Sequence, residues 1–274
     1  MTIEVSRNTE ISRTTHLRYA DGSWDSVPAT LPKESALSLF INGQEFVTIQ
    51  CTPEELNCLV LGFLVSQGLV SGQDDIAMMR ICTDEMIADL RLKVPVASTI
   101  RRVLTSGCGG GVSFNIGDSL SPVKSEQRVS PRQILSSMSM LLQAEADRAD
   151  GRKRGVHLSA LSDGDRLLVT AADIGRHNTL DKIWGECILR KIPTADRILV
   201  TTGRISSEML GKAVRMRVPI VASLNSATDQ AVELGAGLGV TVIGYARGSK
   251  FTVFCGKERI VHALPDGYIA DGNR

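Results

Sequence analysis

Residues 197–246, RILVTTGRISSEMLGKAVRMRVPIVASLNSATDQAVELGAGLGVTVIGYA, alternate short apolar runs with longer helical ones. Arg197 to Thr201 reads as a strand, Ser206 to Met216 as a helix and Pro219 to Ser223 as a second strand. Ser226 to Leu238 then reads as a helix with Ser226 and Asp229 as its capping box, and Val240 to Ala246 as a third strand. Strands that alternate with helices of about 10–15 residues, after a leading hairpin, imply a mixed sheet with helices on both faces.

Working outward, the runs Val156–Leu161 and Arg166–Ala171 flank the turn Ser162-Asp163-Gly164-Asp165 and predict an antiparallel hairpin. Leu180, Ile183, Trp184, Cys187 and Ile188 mark the helix that follows, and Phe251–Cys255 a last strand. A helix with an apolar face at Ile134, Leu135, Met138, Leu141 and Leu142 opens this half behind the capping signature Ser130-Pro131-Arg132-Gln133. The reading is an α/β chain whose residues 126–274 form a three-layer α/β/α unit on a mixed sheet. The polar stretch Gly117–Ser130 separates it from a small α+β unit spanning 33–125.

In that first unit, two apolar runs between Ser35 and Gln50 surround Asn42-Gly43, a strong short signal for a hairpin. Thr52-Pro53-Glu54-Glu55 predicts a helix start ahead of Leu56, Leu59, Val60, Phe63 and Leu64, with Gly68 closing the helix. Asp75–Thr83 reads as a weaker strand. Residues 1–32 are polar and read as an arm or edge strand, with Asp21-Gly22 as a turn signal.

Composition narrows the functional classes. A net charge of +1 and an aromatic fraction of 4% give neither the basic field nor the stacking platforms of a nucleic-acid binder. The N-terminal residues lack the apolar core of about 7–15 residues that a secretory signal needs, and no apolar run of membrane length follows, so a cytoplasmic protein without membrane contact is expected. Cysteines at 51, 58, 82, 108, 187 and 255 include no Cys-x-x-Cys pair, and no tightly bound metal is predicted.

Cys108 is set apart from the others. It lies in Arg101–Phe114, RRVLTSGCGGGVSF, with glycines at 107, 109, 110 and 111, a setting that predicts an open, exposed loop. A thiol there, with Arg101 and Arg102 near in sequence, suits nucleophilic chemistry as its thiolate; an incidental cysteine in a tight turn is the alternative. In the second half, Asp173-Ile174-Gly175-Arg176-His177-Asn178, Thr201-Thr202-Gly203-Arg204 with Ser206 and Ser207, and Tyr245-Ala246-Arg247-Gly248-Ser249-Lys250 lie at predicted strand ends. Cations beside helix starts favour a phosphate-bearing ligand. His177 and Asp181 lie one helical turn apart, either as a catalytic pair or as a hydrogen-bonded helix start. His16, His157 and His262 show no partner pattern.

The segments CTPEELNCLVLGFLVSQGLV, SGCGGG, DIGRHNTLDKIWG, TTGRISSEML and GYARGSKFTVF occur in this order between about Lys33 and Val261. Together they resemble the FdhD/NarQ family of formate dehydrogenase accessory sulfurtransferases. The resemblance implies a homodimeric sulfur carrier whose second domain is like cytidine deaminase. Such a carrier takes persulfide sulfur from a cysteine desulfurase and passes it to the molybdenum bis(molybdopterin guanine dinucleotide) cofactor, its bound substrate, before insertion into the formate dehydrogenase catalytic subunit. It implies Cys108 as the persulfide carrier. It also implies recognition of the cofactor's guanine nucleotide moiety at Tyr245, Ala246, Arg247, Gly248, Ser249 and Lys250; the loop residues Thr202, Gly203, Arg204 and Ser206 are the companion candidates from their strand-end position. Two departures matter: the deaminase zinc signature is missing, and Gly111 stands where the family commonly has a second loop cysteine. A cofactor-binding escort that transfers no sulfur therefore stays open beside the carrier.

Overall fold

The computed structural model describes residues 2–5, 13–93, 102–104, 112–114, 120–148 and 155–261. Residues 105–111, with Cys108 among them, and His262 fall outside the described residues.

The first unit is built on a five-stranded sheet. Strands β1 (Thr2–Val5), β2 (Arg13–Ala20), β3 (Ser23–Thr30), β4 (Ser35–Ile41) and β5 (Gln44–Cys51) precede helix α1 (Leu56–Ser66), and β6 (Ile76–Cys82) and β7 (Ile87–Leu92) follow it. The order across the sheet is β1-β6-β7-β4-β5, while β2 and β3 form a separate hairpin. Asn42 and Gly43, with φ of 52° and 84°, make the two-residue turn that joins β4 to β5, as Asn-Gly predicts. Strands β8 (Arg102–Leu104) and β9 (Val112–Phe114) pair antiparallel.

Helix α1 departs from its sequence signature. It starts at Leu56, and its N-cap is Glu55 in the left-handed region with φ 54° and no side-chain cap. Thr52 does not cap it because its backbone N–H and hydroxyl both donate to Asp173, and the hydroxyl accepts from Lys182. A tertiary contact has taken the group that local capping would have used.

The second unit runs from α2 (Pro131–Arg148) through β10 (His157–Ser162), β11 (Leu167–Asp173), α3 (Arg176–Leu189), β12 (Ile198–Thr201), α4 (Ser207–Arg215), β13 (Ile220–Ser223) and α5 (Asp229–Leu238) to β14 (Thr241–Arg247) and β15 (Lys250–Cys255). These strands form one mixed sheet in the order β11-β10-β12-β13-β14-β15, with β12, β13 and β14 parallel. Alternate residues of the central strands point to opposite faces. Leu199, Val221 and Val242 meet α3, α4 and α5, whereas Val200, Ala222 and Ile243 meet α2.

Helix α2 keeps its predicted capping box: Gln133 N–H donates to Ser130 Oγ at 3.3 Å and Gln133 Oε1 accepts from Ser130 N–H at 3.0 Å. Helix α5 does not, because Thr228 rather than Ser226 is its N-cap, with Thr228 Oγ1 accepting from Ala231 N–H. Residues 120–130 run along this unit, where Val123 is buried in its core and donates its N–H to Leu238.

Helices α1 and α3 join the two units. A Cβ on Gly62 would lie 1.8 Å from Asp181 O, and one on Gly185 would lie 2.0 Å from Cys58 O, so these glycines let the two backbones touch. Trp184 packs against both cores from this contact. The helix pair is therefore sandwiched between the sheets, which explains why α1 is buried on nearly every side.

Candidate functional site

Because β10 runs antiparallel to both β11 and β12, and β12–β14 are parallel, β11, β12, β13 and β14 end on one edge of the sheet. The loops that leave them meet there, outside the carboxyl ends of the strands where such folds place ligands. Ser223 Oγ donates to Gly203 O at 2.7 Å, Asn225 Nδ2 to Thr202 O at 2.8 Å, and Tyr245 N–H to Asn225 O at 2.9 Å. Gly203 also abuts Arg176, whose Cβ would lie 3.0 Å from a Cβ at that glycine.

The structure thus brings Thr202, Gly203, Arg204 and Ser206 alongside Tyr245 through the loop at Asn225. Arg204, Tyr245, Arg247, Gly248, Ser249 and Lys250 are exposed at this edge, Thr202 is half-buried and Gly203 is buried. Ser206 is the N-cap of α4, with its Oγ accepting from Met209 N–H. Ala246 is buried in the core under α2, so it offers the site only backbone. Helices α3, α4 and α5 all begin on this edge, and their free N–H groups together with the arginines favour an anion. The buried Nε of Arg176 has no hydrogen-bond partner among the described residues.

Asp173 has a different role from the acid the sequence offered. It is fully buried and paired with the equally buried Lys182 at 2.7 Å. Its carboxylate also accepts from Gly175 N–H and Asn178 Nδ2, each at 2.8 Å, and from Thr52. Asn178 donates in turn to Gln50 O, so one carboxylate fixes the start of α3 to the end of β5. Sequence reasoning missed Lys182, since a lysine in an amphipathic helix is ordinarily read as solvated, and its immediate neighbour Asp181 strengthens that reading.

His177 and Asp181 are not partners. Asp181 pairs with Lys212 at 2.5 Å, whereas His177 Nε2 lies 3.1 Å from Glu208 Oε2 and 3.3 Å from Ser206 Oγ. Burial pushes the His177 imidazole down to about 3, helped by the charges of Lys212 and Arg176. Burial likewise lowers His157, with Arg176 adding to it, and raises the Glu208 carboxyl. The pairing with Glu208 pulls His177 the other way, but burial and the neighbouring cations prevail, and the ring is neutral.

That neutrality fixes a pH dependence. His177 binds a proton in the unfolded chain below its ordinary 6.5 but in the native state only near 3, so its contribution to stability is complete above 6.5 and lost as pH falls. The wild type should lose about 2 kcal/mol between pH 7 and pH 5 that a His177→Gln protein does not lose. Urea denaturation of both at the two pH values measures this, and parallel pH slopes would contradict it.

The cysteines divide by environment. Burial pushes the thiols of Cys51, Cys58 and Cys187 up to about 12, and raises Cys255 as well. Cys51, Cys58 and Cys187, held so far above neutrality, stay protonated and are poor nucleophiles. Cys82 is half-buried on β6.

No helix is long and apolar enough to cross a membrane among the described residues. Residues 32–261 match the model of the FdhD/NarQ family. The chain is 36% identical over 252 residues to the sulfur carrier protein FdhD of Bacillus subtilis (strain 168), covering 89% of this chain and 95% of that protein. It is 35% identical over 254 residues to the protein of the same name from Bacillus pumilus (strain SAFR-032), with the same coverage. A solved structure of a chain named as a formate dehydrogenase accessory protein, from Desulfotalea psychrophila, shares the fold with a TM-score of 0.75 at 22% identity, over 92% of this chain and 99% of its own. With a family match that spans nearly the whole described chain and relatives aligned along almost their full length, this protein belongs to the FdhD/NarQ family.

Proposed function

We propose that this protein is a sulfur carrier that accepts persulfide sulfur from a cysteine desulfurase on Cys108 and transfers it to the molybdenum bis(molybdopterin guanine dinucleotide) cofactor destined for formate dehydrogenase. The observation that carries the reading is near full-length similarity to proteins named sulfur carrier protein FdhD. The thiol inventory supports it, because burial keeps Cys51, Cys58 and Cys187 protonated and also raises Cys255. Cys108, set among glycines, is the candidate with the sequence of an accessible nucleophile. The transfer is an exchange between sulfurs: the Cys108 thiolate attacks the outer sulfur of the desulfurase persulfide, that S–S bond breaks, and the desulfurase thiolate leaves. This acceptance step needs no oxidant and only one thiol; delivery of the sulfur to the cofactor at the sulfide level takes two electrons, which an external thiol reductant supplies here because Gly111 replaces a second cysteine.

The cofactor is substrate rather than a resident group, and its guanine nucleotide would lie on the edge formed by Thr202–Ser206 and Tyr245–Lys250. The hairpin-then-parallel order of the six-stranded sheet, with helices on both faces, supports a cytidine-deaminase-like second domain. A cytoplasmic homodimer that meets the desulfurase and the formate dehydrogenase catalytic subunit in turn completes the reading. Gly111 favours one competing role, an escort that binds the cofactor without carrying sulfur.

Titration calorimetry with guanosine diphosphate tests the site. Loss of one charge-assisted bond in Arg247→Ala should weaken binding about tenfold or more. Equal affinities would remove Arg247 from the site. The escort differs from the carrier in binding the nucleotide while Cys108 gains no persulfide.

A further inference from the structure

Tyr245 is held in a conformation that its own packing does not explain. Its neighbours Ile243 and Ala246 are buried against α2, but the pairing of β14 with β15 slips between Gly244 and Arg247, and Tyr245 adopts φ 54°. The left-handed region is disfavoured for a large aromatic residue and persists only where the surroundings impose it. Here its consequence is exposure: Tyr245 is 52% open to solvent at the edge where the loops converge.

The surroundings are built to hold it there. The Tyr245 N–H is tied to Asn225 O. Gly244 leaves room for Phe254, since a Cβ at that position would lie 2.4 Å from Phe254 Cε2. The Phe254 ring meets the Tyr245 ring at 6.1 Å and 68°, an edge contact that braces it. Phe254 packs with the core under α3–α5, so the tyrosine stands on the side of the sheet where those helices begin.

Beside the ring, Asn225 is exposed and its Nδ2 is spent on Thr202 O. Its Oδ1 accepts no hydrogen bond among the described residues, so the amide keeps an unused acceptor at this exposed position. A braced aromatic ring, an adjacent free acceptor and the nearby cations Arg204, Arg247 and Lys250 match the parts of a purine nucleotide: a π-face, a donor edge and a phosphate chain.

Resting on the nucleotide reading above, we propose that Tyr245 is the platform on which the purine base stacks and that Asn225 Oδ1 accepts from the donor edge of guanine, making these two residues the determinants of base specificity. Arginines hold the phosphates whatever the base; the ring and the amide choose among bases.

Calorimetry on the full chain with guanosine diphosphate, adenosine diphosphate and pyrophosphate separates these parts. Tyr245→Leu should weaken the guanosine ligand at least about fivefold, while Tyr245→Phe, which keeps the ring, stays within about twofold of wild type. Pyrophosphate binding should be the same in all of them. Asn225→Ala should lower the guanosine-to-adenosine preference about fivefold. Unchanged guanosine diphosphate affinity in Tyr245→Leu, or an unchanged preference in Asn225→Ala, overturns the assignment and leaves the nucleotide site standing. Failure of the wild type to bind guanosine diphosphate overturns both.

Discussion

A Cys108→Ala protein is expected to melt with the wild type and to support no sulfuration of the cofactor, leaving a formate dehydrogenase client without activity. The fold should be indifferent to the change, because a side chain between Gly107 and Gly109 has no apolar neighbours in sequence to pack with. The chemistry should not be, because the thiols of Cys51, Cys58 and Cys187 sit near 12 and cannot supply thiolate at neutral pH. Client activity in cells that make only the variant, beside thermal melts of the purified protein, gives the answer. Full client activity with an intact fold would mean that Cys108 carries nothing.

The second large effect lies at the joint between the units. Asp173 and Lys182 are both fully buried, so Lys182→Met leaves a carboxylate in the interior whose remaining partners are hydrogen-bond donors alone. Breaking a buried pair from one side costs about 3–5 kcal/mol. In a chain of this size that lowers the melting temperature by about 10 °C. Removing both charges in Asp173→Asn/Lys182→Met should recover most of the loss, because the uncompensated charge is gone. A single variant within about 1 kcal/mol of wild type would show that the pair is not a structural requirement. Since Asp173 also ties Gly175 and Asn178 to the end of β5, the single variant should bind guanosine diphosphate more weakly as well.

Much of the architecture was legible because its signals are local. The runs ILVT, PIVAS and VTVIGY are apolar, rich in β-branched residues and adjoin helix signals, and each became a strand within a residue or two of its predicted limits. Asn42-Gly43 fixed a hairpin for the same reason. What failed was competition between levels. Thr52 has the residue type of an N-cap, yet a buried carboxylate 121 positions away claims its donors. His177 and Asp181 share a helix face, but each found a partner on α4, at Glu208 and Lys212, and helical spacing cannot report a neighbouring helix. The hairpin Arg13–Thr30 has its turn at Asp21-Gly22, but its strands carry exposed Leu17, Tyr19 and Trp24 in place of a buried stripe, so no periodicity marked them.

The candidate site was legible as chemistry and not as geometry. Arginines and glycines at Thr202–Ser206 and Tyr245–Lys250 could be picked out from their place at strand ends, but their convergence depends on strand order. Asn225, which links those loops, has nothing in its sequence context to distinguish it from any polar loop residue.

The central claim is that Cys108 carries sulfur. Incubation of the wild-type protein with a cysteine desulfurase and cysteine, followed by peptide mass spectrometry without reductant, tests it directly. The account predicts one added sulfur on the peptide that contains Cys108 and none on those that contain Cys51, Cys58, Cys82, Cys187 or Cys255; an unmodified Cys108, or sulfur on another cysteine in its place, would contradict it.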